Sequence, residues 1–466
     1  MTPRAPAKLD SRERALRALV AAYDGEYFGR DLLDEWQRAQ PLSEANAGLA
    51  LELVMGVARV RIIAEHIAAH FYRGRWGGLR PPIRVILALG VYQLCWLERI
   101  PEHAAVDQAV RMAKRHGRGT AEMVNALLRK VAQFRGPMVE KPSEPDPRRY
   151  LAVEPARGRV FTVDVFPDPT RKPLDYLIAA TGHPPWLVER WHRRFKPQRC
   201  RQVCEAGQFR PPLVLRPNRL KTTPDALVDR LKSEGQAARI IEGTPAVLVS
   251  AASNPQSLNP SIPQSLFQEG LCQPQDSTAQ IALNLSPPRP GEFVLDLCAG
   301  VGTKSTQAAE LMGNEGIVLA TDIDYAKLTH VATGAERLGL RIVQTTPLDA
   351  LDAALSGIGR PPDLILLDSP CTNTGVLARR PEARYRASQK TLTALTKIQS
   401  DLLDRAAALA GAQSRIIYTT CSLEKEENED QSRAFCQRSP QWRIAEESFT
   451  LPDLDRGGGY AAVLSR

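Results

Sequence analysis

The run Phe293-Val-Leu-Asp-Leu297 stops at Cys298-Ala-Gly-Val-Gly302-Thr-Lys304. A short apolar run closed by glycines predicts a buried strand and a tight turn, and residues 305–312 continue as a helix. A second strand is expected over 317–321, ending in Asp322-Ile-Asp324. Two strands joined through a helix form a crossover unit, which commits the region to an open parallel sheet with ligands at the carboxyl ends of its strands. Gly300 and Gly302 let the backbone approach a ligand closely. Asp322, about 20 residues past the turn, stands where an acid takes ribose hydroxyls. Taken alone, this unit fits a dinucleotide enzyme as well as a methyltransferase. Ser305 occupies the third glycine position of the dinucleotide fingerprint, which weakens the nicotinamide reading.

Two further strands are expected over 363–367 and 415–420, and each runs into a cysteine peptide, Asp368-Ser369-Pro370-Cys371 and Thr419-Thr420-Cys421-Ser422. In a parallel sheet both thiols can converge on one crevice. Such a pair suits covalent chemistry on a pyrimidine. Carbon 5 of cytosine is a poor nucleophile, but a thiolate added at carbon 6 makes an enamine whose carbon 5 attacks an electrophilic methyl group. A base must then remove the carbon 5 proton and expel the thiolate. A lone cysteine at a strand end is more often a buried structural residue, and the thiols of Cys95, Cys298 and Cys436 are read that way.

At 466 residues, 43% hydrophobic and 24% charged, the chain has room for two to four domains with real cores. It has no uncharged apolar run of membrane-spanning length, and its basic N-terminus lacks the apolar stretch of a secretory signal, so a cytoplasmic protein is expected. Eight scattered cysteines argue against a disulfide framework. Cys200 and Cys204 lack the further ligands of a zinc site, and no metal is expected. Charge is uneven. Residues 1–137 hold 21 Lys and Arg against 14 Asp and Glu, and 186–240 hold 13 against 5, whereas 261–466 hold 20 against 25. A basic front that docks a polyanion and a back that does chemistry fit this split.

The front reads as a helical bundle. Asp10 and Glu13 make a capping-box start, and helices are expected over 49–71, 83–98, 104–116 and 121–134, the second of them apolar nearly all round and so central. Arg111, Lys114, Arg115, Arg118, Arg129 and Lys130 offer phosphate contacts on the last two. Residues 138–184 are rich in proline and read as a linker wrapped on the surface. Residues 185–260 read as a small basic α/β module, with a helix from Pro184, a strand over 211–219, a helix over 224–234 and a strand in 240–249. Arg190, Arg193, Arg194 and Arg216 are its candidate RNA contacts.

The runs Leu87-Ala-Leu-Gly-Val-Tyr-Gln-Leu-Cys95, Arg99-Ile-Pro-Glu-His-Ala-Ala-Val106 and Val124-Asn-Ala-Leu-Leu-Arg129 resemble the NusB-type domain that opens the RsmB (Sun/Fmu) family of bacterial rRNA cytosine-5 methyltransferases. The resemblance continues to the C-terminus. Residues 298–304 look like that family's S-adenosylmethionine turn, Asp322 its ribose-binding acid and Asp349 the acid near the adenine. Asp368-Ser-Pro-Cys371 with Gly375-Val and Arg379-Arg-Pro381 resembles its motif IV, and Ile417-Tyr-Thr-Thr-Cys421-Ser-Leu-Glu-Lys-Glu-Glu-Asn428 its motif VI. The resemblance implies an all-α domain over 1–137, a linker over 138–184, a small RNA-binding module over 185–260 and a Rossmann-like class I methyltransferase domain over 261–466. It implies Cys421 as nucleophile and Cys371 as the group that assists release. Asp368 and Lys304 accompany them in the crevice, and Cys298, Ala299, Gly300, Val301, Gly302, Thr303, Lys304, Asp322, Asp349 and Asp368 hold S-adenosylmethionine. The partner implied is ribosomal RNA, of the small subunit, with no membrane and a monomeric enzyme. The chain departs from the family pattern at Val301 and Thr303 in the turn and at Ser369, Thr372 and Asn373 in motif IV, where Asn373 can take a left-handed backbone in place of glycine. The alternatives weighed are a tRNA methyltransferase, an RNA-binding assembly factor with an inert methyltransferase domain, and a zinc deaminase, which lacks its His-x-Glu motif.

Overall fold

The computed structural model describes residues 10–25, 27–250 and 262–466. Arg4 and Lys8 of the basic N-terminus and the expected domain boundary at 260/261 lie outside the described residues. No helix among the described residues is long and apolar enough to cross a membrane. The chain divides into two units, one formed by residues up to Arg210 with Leu377–Ser388, the other by Pro211–Val376 with Gln389–Arg466.

In the first unit the Asp10 carboxylate accepts from Glu13 N at 2.9 Å and caps the helix Ser11–Ala21. Helices Glu44–Phe71, Pro81–Trp96, Glu102–Ala113 and Arg118–Phe134 follow the expected apolar periodicity, and Pro81–Trp96 is buried from Ile83 to Cys95 at all but one position. A further helix, Gly29–Ala39, was not expected from the sequence. Five of its eleven residues are charged; the Glu382 carboxylate accepts from Gly29 N at its start, and Leu32, Leu33 and Trp36 anchor it in the core.

Residues 138–184 are not a bare linker. An antiparallel sheet orders Arg135–Glu140, Arg157–Phe161 and Tyr150–Ala152, and the helix Pro173–Thr181 follows. Pro142, Pro145, Pro147 and Pro155 fall between the strands, while Tyr150, Leu151 and Phe161 are buried, so the proline density that reads as linker marks turns instead. The helix Pro185–Gln208 breaks at Lys196 (φ 67°), ahead of Pro197. Leu377–Ser388, expected inside the catalytic domain, is bound into this unit by Arg384. Its buried guanidinium donates to the carbonyls of Arg59 (2.8 Å), Gly182 (2.7 Å) and Gly207 (2.8 Å). A buried cation must be hydrogen-bonded, and these carbonyls belong to the helical unit.

The second unit holds two sheets. The smaller is antiparallel, in the order Ala237–Ile240, Val247–Ser250, Leu213–Pro217, Cys272–Pro274, with the helix Pro224–Ser233. The single strand expected in 240–249 is thus the second half of a hairpin. The larger sheet orders Val343–Pro347, Ile317–Asp322, Phe293–Asp296, Leu364–Asp368, Arg415–Thr420, Gly459–Ser465 and Arg443–Thr450. The first five strands are mutually parallel and Gly459–Ser465 opposes its neighbours. Alternate residues of Leu364–Asp368 enter opposite layers: Leu364 and Leu366 pack with Ala308, Met312 and Leu338, while Ile365 and Leu367 pack with Leu351, Leu403 and Phe435. A strand buried on both faces has to be apolar throughout. Strand order reverses beside Phe293–Asp296, which opens a crevice at the carboxyl edge, as the Rossmann-like expectation requires.

Candidate active site at the strand ends

Phe293–Asp296 delivers the glycine turn to this edge. Gly300 (φ 55°) and Gly302 (φ 82°) are left-handed. A Cβ on Gly302 would lie 2.8 Å from a Val331 methyl, so both backbone and space demand glycine there. Thr303 opens the helix Thr303–Leu311 and needs no such freedom. Gly300 N donates to Asp322 Oδ2 and Asp324 N to Asp322 Oδ1, both at 2.9 Å. Val301 and Ile323 leave 54% and 85% of their surface exposed beside this pair, and Ala299 N is tied to Thr321 O. Asp349 is exposed in the short turn Leu348–Ala350, which follows the next strand along. Beneath the turn, Asp296 is buried and accepts from Ser305 Oγ at 2.7 Å; burial pushes its carboxyl up to about 6 against that bond.

Leu364–Asp368 and Arg415–Thr420 are parallel neighbours in which Asp368 pairs with Thr419. That register brings the following peptides together, and Cys371 Sγ lies 3.4 Å from Cys421 Sγ. Cys371 is buried and Cys421 partly exposed. Hydrogen bonding to Cys421 and burial both hold the Cys371 thiol well above its ordinary range, with the Glu427 carboxylate adding to the effect. Lys304 Nζ sits 2.6 Å from Asp368 Oδ2. Burial works against its charge, but Asp368, with smaller help from Cys421 and Asp296, holds the ammonium above its usual value. Asp368 Oδ1 also accepts from Thr419 Oγ1 at 3.1 Å. The structure therefore gathers Lys304, Asp368, Cys371 and Cys421 at adjacent strand ends.

Asn373 has φ 59°, the left-handed backbone its side chain tolerates. Its Nδ2 donates to Cys371 O at 2.8 Å, and its Oδ1 accepts from Cys421 Sγ at 3.1 Å. Glu427 joins the two cysteine loops from behind. Its carboxylate is fully buried and accepts from Thr372 N (2.9 Å), Thr372 Oγ1 (2.5 Å) and Gln399 Nε2 (3.1 Å), and the same Gln399 amide donates to Pro370 O. The sequence hid this residue in a run of acids, Glu424 to Glu429, and only packing separates the buried ones from the exposed. Glu427→Ala is expected to cost about 2–4 kcal/mol, because buried donors lose their acceptor. Chemical unfolding monitored by fluorescence checks this.

Arg216, a candidate RNA contact from the sequence, is a structural residue. It is 4% exposed and its guanidinium is spent on Glu310 (2.8 Å), Thr303 O (2.8 Å) and Thr306 Oγ1 (3.1 Å), bracing the helix that carries Lys304. Cation density in the sequence cannot separate a buried brace from a surface contact. In the helical unit, Arg111, Arg115, Arg118 and Arg129 hold Asp10, Glu13, Glu122 and Asn125. By contrast Arg73, Arg75 and Arg80, outside the expected phosphate contacts, are exposed and have no ion pair among the described residues.

Comparison with known proteins covers the whole arrangement. A family model described as 16S rRNA methyltransferase RsmB/F matches residues 282–459, a NusB family model matches 9–133, and a ferredoxin-like domain of RsmF/B-like methyltransferases matches 183–254. Residues 282–459 thus match an RsmB/F-type rRNA methyltransferase domain, behind NusB-type and ferredoxin-like domains. Relatives of the chain include the probable ribosomal RNA small subunit methyltransferase B of Bacillus subtilis, 29% identical over 93% of this chain and 89% of that one. Ribosomal RNA small subunit methyltransferase B of Pseudomonas putida is 28% identical over 93% and 90%. Among solved structures, the crystal structure of PH0851 shares the fold at 23% identity with a TM-score of 0.70, covering 98% of this chain and 99% of that one. NSun6 from Pyrococcus horikoshii with SFG shares the fold at 20% identity with a TM-score of 0.52, over 60% of this chain and 98% of that one. The glycine turn, Asp322 and the two cysteine peptides sit within the matched segment, 282–459.

Proposed function

We propose that this chain methylates carbon 5 of a cytosine in small-subunit ribosomal RNA, using S-adenosylmethionine and a covalent adduct to Cys421. The observation that carries the reading is the pair of sulfurs 3.4 Å apart beside the Lys304–Asp368 pair, at the edge that also holds the glycine turn. Relatives that match 93% of this chain are named small subunit rRNA methyltransferases, which supports the choice of RNA. A substrate in ribosomal RNA would be met in the cytoplasm.

The residues present fit the cofactor. No atom lies within 4 Å of where a Cβ on Gly300 would stand, so its backbone faces open space, and the Asp322 carboxylate beside it keeps lone pairs for two vicinal hydroxyls. Exposed Val301 and Ile323 offer an apolar border for an adenine ring, and Asp349 stands at the next strand end. When bound, S-adenosylmethionine supplies an electrophilic methyl group.

The chain's own residues handle the thiol and the proton. Lys304, kept charged by Asp368, attracts a Cys421 thiolate and so favours its formation. The thiolate adds to carbon 6, the 5,6 double bond opens, and carbon 5 becomes nucleophilic. After methylation carbon 5 bears both a methyl group and a proton. A base takes that proton, its electron pair rebuilds the double bond, and the carbon–sulfur bond breaks to release Cys421. Cys371 is assigned to this step. The main cause of its raised pKa is the hydrogen bond to Cys421. Once Cys421 is a neutral thioether, that cause is gone, and Cys371 ionises more readily at the stage where a base is needed. The cytosine must be unpaired or flipped, because both faces of its ring are used.

Incubation with S-adenosylmethionine and small-subunit rRNA or assembled subunits, followed by bisulfite sequencing, is expected to reveal one resistant cytosine. Resistance confined to tRNA, or none at all, would overturn the reading.

A further inference from the structure

Both ends of the Asn373 amide contact the two cysteines, and the contacts have a direction. A carbonyl oxygen only accepts, so Cys371 O, 2.8 Å away, fixes which end of the Asn373 amide is the NH2. The other end, Oδ1, is then forced toward Cys421 Sγ at 3.1 Å. An amide oxygen cannot donate, so this contact is satisfied when Cys421 carries its proton and is repulsive when it does not. Backbone conformation adds a second observation. At φ 59° glycine is the residue of least strain, yet an asparagine stands here. A glycine would keep the loop and have no oxygen to offer the sulfur.

We infer that Asn373 is a proton latch on Cys421: it holds the sulfur as a thiol in the resting enzyme, so that the thiolate forms, its proton passing to solvent at this partly exposed sulfur, once bound substrate disturbs the contact. This rests on the reading of Cys421 as the nucleophile. Other groups also act on the same sulfur. Cys371 lies 3.4 Å away with its own proton, Glu427 stands behind Cys371, and the Lys304 ammonium, paired with Asp368 and near Asp296, pulls the opposite way by favouring the thiolate. The latch therefore balances Lys304. Its consequence is a nucleophile that resists alkylation and oxidation while no RNA is bound.

The test measures iodoacetamide modification of Cys421 in the free full-length protein across pH 5–10, located by peptide mass spectrometry, in the parent, Asn373→Gly and Asn373→Asp proteins. A neutral hydrogen bond of ordinary strength corresponds to about fivefold in equilibrium. Asn373→Gly should therefore raise the modification rate at pH 7 by about fivefold and move the profile to lower pH. Asn373→Asp places a carboxylate beside the sulfur and should move the profile to higher pH. A residue with only a structural role would lower the unfolding temperature in both variants and leave the pH profile of Cys421 unmoved, and that result would overturn the inference. A shift to higher pH in Asn373→Gly would overturn it as well. Because alkylation is read without RNA, loss of the methylation reading, seen as no 5-methylcytosine from the parent enzyme, is distinguished from failure of the latch.

Discussion

Cys421→Ala is expected to abolish both methylation and covalent capture of RNA. The uncatalysed attack of carbon 5 on a methyl donor has no enamine to start from, so removing the thiol removes the reaction path rather than one contribution to it. A loss of about four orders of magnitude or more in rate corresponds to at least about 5 kcal/mol of barrier. Folding should survive, because Cys421 is partly exposed and its truncation leaves no large void. Binding of S-adenosylmethionine should be unchanged, since Gly300 and Asp322 lie on other strand ends. Filter assays with labelled donor, together with denaturing gels of the RNA complex, measure the two losses. Normal methylation by this variant would show that the sulfurs have been given the wrong roles.

Cys371→Ala is expected to behave in the opposite sense on the gel. Cys421 and Lys304 remain, so addition to carbon 6 and methylation proceed, but the thiol 3.4 Å from the Cys421 sulfur is gone and the carbon 5 proton has no local acceptor. Turnover should fall by about 10²–10⁴, the usual range for loss of a general acid or base, while a protein–RNA adduct that withstands denaturant accumulates. The double variant should give no adduct, which separates trapping at Cys421 from incidental crosslinking. If Cys371→Ala turned over at the parent rate without an adduct, release would belong to another base.

Much of this was legible in the sequence, and the limits have physical causes. The strands 293–296, 364–368 and 415–420 each hold an unbroken apolar run, Phe293–Leu295, Leu364–Leu367 and Ile416–Tyr418, because both faces are covered there, a pattern that survives reading without coordinates. Glycines at 300 and 302 were readable for the same kind of reason, since backbone conformation at 302 leaves no other choice. What could not be read was which charged groups are buried. Arg216 and Glu427 look like surface residues in composition, yet each is enclosed and fully paired, and only tertiary packing makes them so. The helix Gly29–Ala39 was legible in the helical spacing of Leu32, Leu33 and Trp36 and went unread, whereas the sheet within 138–184 sets few apolar residues in a proline-rich stretch, where long-range burial decides the outcome. The substitution at Asn373 was legible as a tolerated left-handed residue, but its bond to Cys421 was not, because it depends on the register of two strands fifty residues apart.

The central claim is that one sulfur makes the bond and the other releases it. Its most direct measurement takes Cys371→Ala with rRNA and labelled S-adenosylmethionine, isolates the denaturant-stable complex, digests protein and RNA, and sequences the crosslinked peptide by mass spectrometry. The account predicts a single adduct on the peptide containing Cys421, joined to a cytosine that already carries the labelled methyl group. An adduct on any other residue, or no adduct from an enzyme variant that still methylates, would contradict it.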